Sequence, residues 1–491
     1  MPTLRRILPT FGVILIAFSF TLLIPQFIAM ITGDGGQNDF WAPFVLALFL
    51  GFVFASPAII SREIPELIPK DGILLVVMCW TLIPAIACLP FIIYFHDIGQ
   101  DISWSFAYFE ATSGLTTTGG TVLVGLDKLP YSINFWRCFL QWIGGMGILI
   151  LAVAILPLVS TGAGSIFRAE STGPLKEAKL TPRIEQTAKG LWGVYCLLSL
   201  ACVFAYWAGG MSWGDAWLHM FSTMSLGGLS SHDDSFGYFS SPLLDWIAIF
   251  FMLIASGSFA LYFVALSKRK VLLIFRDPEW IGSLSLLIAA SLLITGILLV
   301  NDVYDDPLLA LRTAMFNTVS MGSTTGYSTT DYNQWPIFAP VFMLLLSGVA
   351  TSAGSTGAGI KMARLVILMK QTRREITRML HPRVIDPLMI DGEAVPNRTI
   401  FSVLAFMLVY GGTILLLTFV LLLTNMPLDT AFSAVVASVN NAGPGLNEIG
   451  PAGNYSKLTD FQVNVCSIAM ILGRLEMMSV LAIFSFDFWR D

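Results

Sequence analysis

The chain has 491 residues, of which 55% are hydrophobic and 12% charged, with a formal net charge of −5. A soluble globular chain carries about 25% charged residues, so this composition excludes an ordinary cytosolic protein. An acidic balance lacks the basic field that nucleic-acid binding needs, and we expect no nucleic-acid partner. The six cysteines lie in apolar stretches without a CxxC pair, which indicates buried hydrophobes rather than zinc or redox sites.

Apolar runs long enough to cross a bilayer, which takes roughly 20 helical residues, follow one another along the chain. About ten such runs lie near 7–31, 41–61, 73–95, 136–160, 189–209, 243–266, 281–300, 337–369, 399–424 and 461–485. The first run is too long for a signal-peptide core and lacks a small-residue cleavage site, so we expect a retained anchor. The sequence predicts an all-α polytopic membrane protein.

Basic residues predict the orientation of these spans. Most of the 27 Lys and Arg residues lie between alternate span ends, and the opposite loops hold only Lys128, Arg137, Arg312 and Lys457. Because basic residues favour the cytoplasmic side, both termini are expected inside. The outer loops are then rich in aspartate, which indicates either a cation-attracting vestibule or ordinary solvated loop charges.

Four outer connections share one layout, in which a short helical stretch ends in a glycine-containing loop before the next span. They are Trp104 to Gly120, Trp213 to Ser230, Pro307 to Tyr327 and Pro427 to Gly445. Irregular backbone at membrane depth is tolerated only where it lines a wet cavity or is buried in protein. The predicted organisation is two N-terminal spans (1–66) followed by four repeats (67–165, 166–270, 271–385 and 386–491).

The chemistry of these loops favours a monovalent cation. The candidate residues are Thr117, Thr118, Gly119, Gly227, Gly228, Leu229, Thr324, Thr325, Gly326, Asn441, Ala442 and Gly443. A dehydrated cation can be held by a ring of backbone carbonyls, whose orientation needs dihedral angles that glycine adopts freely. The helices would also direct their partially negative C-terminal ends toward the cation. The alternative is that small residues at these positions serve only helix packing.

These four loops together resemble the selectivity filters of the Trk/Ktr/HKT potassium transporter superfamily, in particular its TrkH/TrkG branch. The resemblance implies four membrane-pore-membrane repeats in a pseudo-fourfold arrangement around one pore, in a bacterial inner membrane. It implies bound K⁺, as transported ion and not cofactor, at Thr117, Thr118, Gly119, Gly228, Thr325, Gly326, Asn441 and Gly443. It also implies a homodimer and a cytosolic nucleotide-binding regulatory ring resembling TrkA.

The apolar run 337–369 contains a segment of small residues that includes Gly348, Gly354, Gly357 and Gly359. Glycine costs a helix about 1 kcal/mol relative to alanine, so we expect this helix to break within the membrane. The resemblance implies that the broken segment is a gate below the filter, while a small-residue helix interface is the alternative. A charged residue at membrane depth, such as Arg474 in the last span, normally faces a cavity or a partner. The resemblance implies that Arg474 lines the pore below the filter, while a pair with Glu476 at the cytoplasmic edge is the alternative.

The remaining polar residues have simpler interpretations. Glu110 is expected to cap or buttress the first loop, and His232, Asp233 and Asp234 are expected to shape the pore mouth. The basic residues that begin at Lys361 suit anionic lipid headgroups or the regulatory ring. A coupled K⁺/H⁺ or K⁺/Na⁺ transporter is the alternative function, although few titratable groups lie in the expected pore. An intramembrane enzyme would need a nucleophile and a base, and the sequence shows no Ser-His arrangement of that kind.

Overall fold

A computed structural model of the chain describes residues 2–61, 67–154, 184–384, 386–390 and 393–489. These residues are mostly helical, and their helices are, in chain order, α1 (Pro2–Thr21), α2 (Leu23–Thr32), α3 (Trp41–Ser61), α4 (Pro69–Ala87), α5 (Leu89–Asp97), α6 (Trp104–Leu115), α7 (Tyr131–Ala154), α8 (Ile184–Ala208), α9 (Trp213–Ser225), α10 (Pro242–Ala255), α11 (Phe259–Ser267), α12 (Pro278–Val300), α13 (Pro307–Gly322), α14 (Phe338–Leu346), α15 (Met362–Leu380), α16 (Asn397–Leu422), α17 (Leu428–Val439), α18 (Asp460–Arg474), α19 (Met477–Ile483) and α20 (Phe486–Trp489). Strands β1 (Met389–Ile390) and β2 (Glu393–Ala394) pair antiparallel, with Met389 opposite Ala394.

Most of the apolar runs form helices of two kinds. Five stretches of the described residues are long and apolar enough to cross a membrane without a sharp bend, namely Leu4–Thr32, Lys70–Asp97, Thr187–Ala208, Pro278–Val300 and Asn397–Leu422. Two more, α10 with α11 and α18 with α19, reach that length only as pairs bent by 87° and 107°. The apolar window of the last straight span is only 22% buried, and so large an exposed apolar surface is stable in lipid rather than in water.

Some sequence expectations fall on parts of the chain that the structure leaves out. The expected run 136–160 is described to residue 154, and much of the basic segments 62–70 and 168–189 lies outside the described residues. The predicted repeat boundaries after residues 66, 165 and 385 also lie there, whereas the boundary after 270 falls at the short turn Val271–Arg276.

Four short helices, α6, α9, α13 and α17, lie inside the bundle, and each leads into one of the glycine loops. Ser103, Ser212 and Asp306 cap the first three by accepting a hydrogen bond from a first-turn backbone N–H. Three short helices pack on a helix that precedes them in the chain, α9 on α7, α13 on α10 and α17 on α14, whereas α6 packs on α18 near the end of the chain. The last contact joins the end of the chain to its beginning and closes a circle.

Among the described residues, two large hydrophobic clusters surround this circle. One cluster contains Trp136, Tyr195 and Phe221, and the other contains Phe109 and Val435. Aromatic and branched side chains thus enclose the polar backbone of the glycine loops, which leaves the loops few ways to rearrange.

The predicted break in the run 337–369 is present, because α14 ends at Leu346 and α15 begins at Met362. We call residues 347–361 the broken segment. A second break, between α10 and α11, lies against it: Ser352 N donates to Ser256 O at 3.0 Å, and Phe259 N donates to Gly354 O at 3.1 Å. The backbone N–H and C=O groups that lose their helical partners at one break therefore form hydrogen bonds with those at the other break. Backbone polar groups inside a membrane need such partners.

Candidate functional site

The four glycine loops have the same unusual backbone course. In each loop two residues separated by one have positive φ, and the second is always glycine. The pairs are Thr117 (φ 54°) and Gly119 (86°), Leu226 (56°) and Gly228 (73°), Thr324 (65°) and Gly326 (86°), and Asn441 (50°) and Gly443 (80°). A non-glycine residue in this region costs roughly 1–2 kcal/mol, so four such residues indicate a conformation that the surrounding structure imposes.

The four glycines also contact one another's loops in a closed cycle, which we call the glycine ring (Gly119, Gly228, Gly326 and Gly443). A Cβ placed on any of the four would lie under 3.0 Å from a backbone carbonyl oxygen of the next loop. Those oxygens belong to Gly227, Thr325, Ala442 and Thr118, in that order. Each is the residue immediately before the next ring glycine, and the fourth contact returns to the first loop.

Hydroxyl and amide side chains support the ring. Thr116 Oγ1 lies 2.7 Å from Thr118 Oγ1, and Ser323 Oγ lies 2.7 Å from Thr325 Oγ1 in the matching place of the third loop. Asn441 Nδ2 donates to Thr118 Oγ1 at 2.8 Å, which joins the fourth loop to the first. All these groups are buried, so neutral hydroxyl and amide groups support the ring at these positions.

The second loop differs from the others. The sequence singles out Gly227 and Leu229, and the structure places both against Gln141 of α7. Gln141 Nε2 donates to Gly227 O at 2.6 Å, and Gln141 Oε1 accepts from Leu229 N at 3.2 Å. Sequence reasoning missed Gln141, because one amide in an apolar helix carries no local signal. It also missed Leu226, which counting two residues back from Gly228 would have found.

One position in each short helix holds the exit of the following loop. Glu110 Oε2 accepts from Val122 N, His219 Nε2 lies 3.0 Å from Ser230 Oγ, Asn317 Oδ1 accepts from Thr329 N, and Ser433 Oγ accepts from Leu446 N. The predicted buttressing by Glu110 therefore matches its hydrogen bonds. The three equivalent residues were not predicted, because their side chains share no chemical type.

A cavity of about 70 Å³ is lined by all four ring glycines, together with His232 and Asp233. His232 Nδ1 is hydrogen-bonded to Asp127, and its Nε2 lies 3.4 Å from Asp215 Oδ1. Burial alone would lower the pKa of His232, but the hydrogen bonds and charges of Asp215 and Asp127 outweigh it and raise that pKa. The His232 imidazole thus lies between two carboxylates at the rim of this cavity.

The broken segment contacts the inner ends of the short helices. Thr356 Oγ1 donates to Met224 O at 3.1 Å, near the end of α9, and Asn440 Nδ2 donates to Ser347 Oγ at 2.9 Å, at the end of α17. The expected gate glycines take part in its backbone: Gly348 O accepts from Ile360 N at 2.6 Å, Gly354 O accepts from Phe259 N, and Gly359 has φ 87°. Gly357 lies beside Leu226 of the second loop.

Arg474 lies at the end of α18, buried against the broken segment. Its Nη1 donates to Thr356 O at 2.8 Å, and its Nη2 donates to Gly144 O at 3.4 Å. Glu476 instead contacts Arg364 at 3.0 Å and Lys361 at 3.8 Å, so the alternative pairing of Arg474 with Glu476 is not the one formed. A second cavity, of about 130 Å³, is lined by Gly357, Gly359 and Arg474 and adjoins the broken segment.

Comparison with known proteins agrees with the resemblance inferred from the sequence. The family model of TrkH, described as a cation transport protein, matches residues 66–303 and 307–489. The Trk system potassium uptake protein TrkH of Salmonella typhimurium is 39% identical over 487 residues, covering 99% of both chains. The TrkH of Vibrio parahaemolyticus is 40% identical over 489 residues, also covering 99% of both chains.

Among solved structures, the crystal structure of the potassium transporter TrkH from Vibrio parahaemolyticus superposes with a TM-score of 0.90 at 38% identity, covering 99% of each chain. Identity of this size over nearly the whole chain is sufficient to assign the family. The chain belongs to the TrkH family of cation transport proteins.

Proposed function

We propose that this protein is the pore subunit of a potassium uptake system, in which K⁺ crosses the membrane through the glycine ring by a channel-like mechanism. The observation that carries the proposal is the closed cycle in which each ring glycine lies against the carbonyl preceding the next. Backbone carbonyls so arranged can replace the water shell of a monovalent cation. The relatives named above are potassium uptake proteins, which supports K⁺ as the ion.

The electrostatics of the site favour a cation. The four short helices end at the loops, so their partially negative C-terminal ends face the ring. The loops themselves contain Thr117, Thr118, Thr324, Thr325 and Asn441 but no carboxylate, which suits a weakly hydrated monovalent ion better than a divalent one. We infer that Gly227, Leu229 and Ala442 complete the filter.

We further propose that the broken segment is the gate, with Gly348, Gly354, Gly357 and Gly359 allowing it to move and Arg474 holding it closed. Hydrogen bonds from Arg474 to the Thr356 and Gly144 carbonyls join the segment to two other parts of the bundle. A positive charge below the filter would also oppose the passage of cations.

The wider organisation belongs to the same proposal. The circle of contacts among the short and long helices supports four membrane-pore-membrane repeats in a pseudo-fourfold arrangement, preceded by two extra helices. We propose an inner-membrane homodimer with both termini in the cytoplasm, regulated by a nucleotide-binding ring resembling TrkA. The basic face of α15, with Lys370, Arg373 and Arg378, supports a docking surface on the cytoplasmic side.

Coupled K⁺/H⁺ transport is the second candidate, and one observation favours it. The buried Glu279 carboxylate accepts a hydrogen bond from Ala353 N of the broken segment at 2.5 Å, which places a titratable group directly on the proposed gate. Proton coupling through Glu279 would make transport depend on a pH gradient. A passive pore would not need that gradient.

The test is uptake of radiolabelled Rb⁺ into proteoliposomes that contain this protein alone, with K⁺, Na⁺ and Li⁺ as competitors. We expect Rb⁺ uptake that follows the membrane voltage and that K⁺ inhibits much more strongly than Na⁺ or Li⁺. Gly326→Ser should lose this discrimination, because its Cβ would lie against the Ala442 carbonyl. Uptake that strictly requires a pH or Na⁺ gradient would overturn the passive mechanism in favour of coupling.

A further inference from the structure

Behind the glycine ring lies a fully buried ion pair that the proposed transport does not by itself explain. Arg137 Nε lies 2.7 Å from Glu110 Oε1, and neither side chain is exposed to solvent. Removing two charges from water is costly, and the cost is recovered only when the remaining donors and acceptors are also satisfied. The stability of this buried pair therefore depends on the hydrogen bonds that its remaining donors and acceptors make.

Every group of this pair is used. Arg137 Nη1 donates to Asn134 Oδ1 at 3.0 Å and to Ser230 O at 3.1 Å, and Nη2 donates to Thr121 Oγ1 at 3.0 Å. The Glu110 carboxylate accepts from Thr121 Oγ1 and from Val122 N, each at 3.0 Å. The planar guanidinium thus fixes several groups in one geometry.

These bonds join two neighbouring loops of the ring. Thr121 follows Gly119 by two residues in the first loop, and Ser230 follows Gly228 by two residues in the second. His219, Asn317 and Ser433 occupy the place of Glu110 in the other short helices, but they are not charged carboxylates and bond the exits of their own loops. Behind the first loop, Arg137 of α7 bonds both to Glu110 and to the second loop, and so joins the two loops.

We infer that Glu110 and Arg137 are positioning residues that fix the spacing between the first and second loops and thereby set discrimination between K⁺ and Na⁺. The inference rests on the proposed function, because it names residues that tune the same filter. A carbonyl ring selects K⁺ by cavity size or by the number and field of its carbonyls, and both change when one loop moves relative to the next. Neither residue touches the ion in this account.

The experiment compares Glu110→Gln, Arg137→Met and the double variant in the proteoliposome assay, with the folded yield of each measured by size-exclusion chromatography. A single substitution leaves one charge buried without its counterion, so both single variants should lose folded protein. The double variant leaves no buried charge and should recover the yield. If the pair positions the loops, the double variant should discriminate K⁺ from Na⁺ about tenfold less well than the wild type, even though its yield is restored. Tenfold is the scale expected for losing one charged hydrogen bond.

A matched control is the ion pair between Arg6 and Asp71, which joins α1 to α4 away from the loops. Arg6→Met with Asp71→Asn should leave the ratio of K⁺ to Na⁺ competition unchanged. A double variant of Glu110 and Arg137 with normal yield and normal discrimination would overturn the inference while leaving the proposed function intact. A wild-type protein that shows no selective Rb⁺ uptake would overturn the proposed function, and this inference with it.

Discussion

Alanine at Gly228 tests whether the glycine ring is the filter. Gly228 has φ 73°, and a Cβ there would overlap the Thr325 carbonyl oxygen and lie 2.9 Å from the Thr325 carbonyl carbon and 3.1 Å from that of Gly326. Gly99 is its matched control, because Gly99 has nearly the same φ, 72°, but no atom within 4 Å of the added Cβ. The two substitutions therefore share the backbone strain and differ in the contact with the neighbouring loop.

The expected magnitudes follow from these contacts. Alanine in the left-handed region costs roughly 1–2 kcal/mol, and Gly99→Ala should pay only that. Gly228→Ala adds a crowded contact, which costs about 1–3 kcal/mol in a packed interior. Relief of that contact requires the third loop to move by well over the few tenths of an ångström that relieve a contact of 3.0–3.4 Å, because the Cβ would overlap the Thr325 carbonyl oxygen.

Thermal stability and competitive Rb⁺ uptake in proteoliposomes provide the assay. Gly99→Ala should lose a little stability and keep the wild-type preference for K⁺ over Na⁺. Gly228→Ala should lose more stability, and the folded fraction should transport Rb⁺ with a much weaker preference. A Gly228→Ala protein that transports with unchanged preference would refute the assignment of the ring as the filter.

Three further predictions concern the gate and the outer loops. Arg474→Gln should raise Rb⁺ flux, because loss of a charged hydrogen bond worth about 2 kcal/mol to the Thr356 carbonyl would shift the ratio of open to closed pores by up to roughly 30-fold. His232→Gln should destabilise the protein most near pH 6 and least near pH 9, since a histidine with a raised pKa contributes stability below its unfolded pKa and loses it as pH rises through the folded value. Burial, followed by the charges of Asp97 and Asp34, raises the pKa of Asp39 from 3.8 to about 7, so the carboxyl group costs stability progressively as pH rises between these two values. Asp39→Asn should therefore raise thermal stability most above pH 8, less at pH 5, and hardly at all below about pH 4.

Flux measurements and melting curves across pH check these three outcomes. Unchanged or lower flux in Arg474→Gln, at equal protein per vesicle, would contradict its closing role. A His232→Gln deficit that grows with rising pH would show that the charged imidazole is not what holds the rim. An Asp39→Asn protein without any gain at alkaline pH would mean that Asp39 ionises freely in the loop before α3.

The sequence predicted the features that rest on local composition. Four glycines at matching distances after apolar helical stretches located the loops, and four glycines within residues 348–359 located the break between α14 and α15. Both signals are local because glycine is the residue that departs from regular helix at little cost. A closed ring of the four loops then follows from one further assumption, that the four repeats are arranged in a circle.

Features that depend on distant partners could not be predicted in this way. The bend after α18 occurs at Glu476, whose φ is 55°, and no glycine marks that position. Its cause lies in other parts of the chain, since Glu476 contacts Lys361 at the end of the broken segment and Arg364 in α15. Likewise, Gln141 acquires its role only because the second loop folds against α7.

The most direct test of the account is Rb⁺ uptake into proteoliposomes containing only this protein, measured with an imposed voltage and with no pH or Na⁺ gradient. Voltage-driven uptake that K⁺ suppresses far better than Na⁺, and that Glu279→Gln leaves intact, is the result predicted for a passive carbonyl filter. Uptake that appears only when a pH or Na⁺ gradient is imposed, and that disappears in Glu279→Gln, would contradict the passive pore and show that transport is coupled.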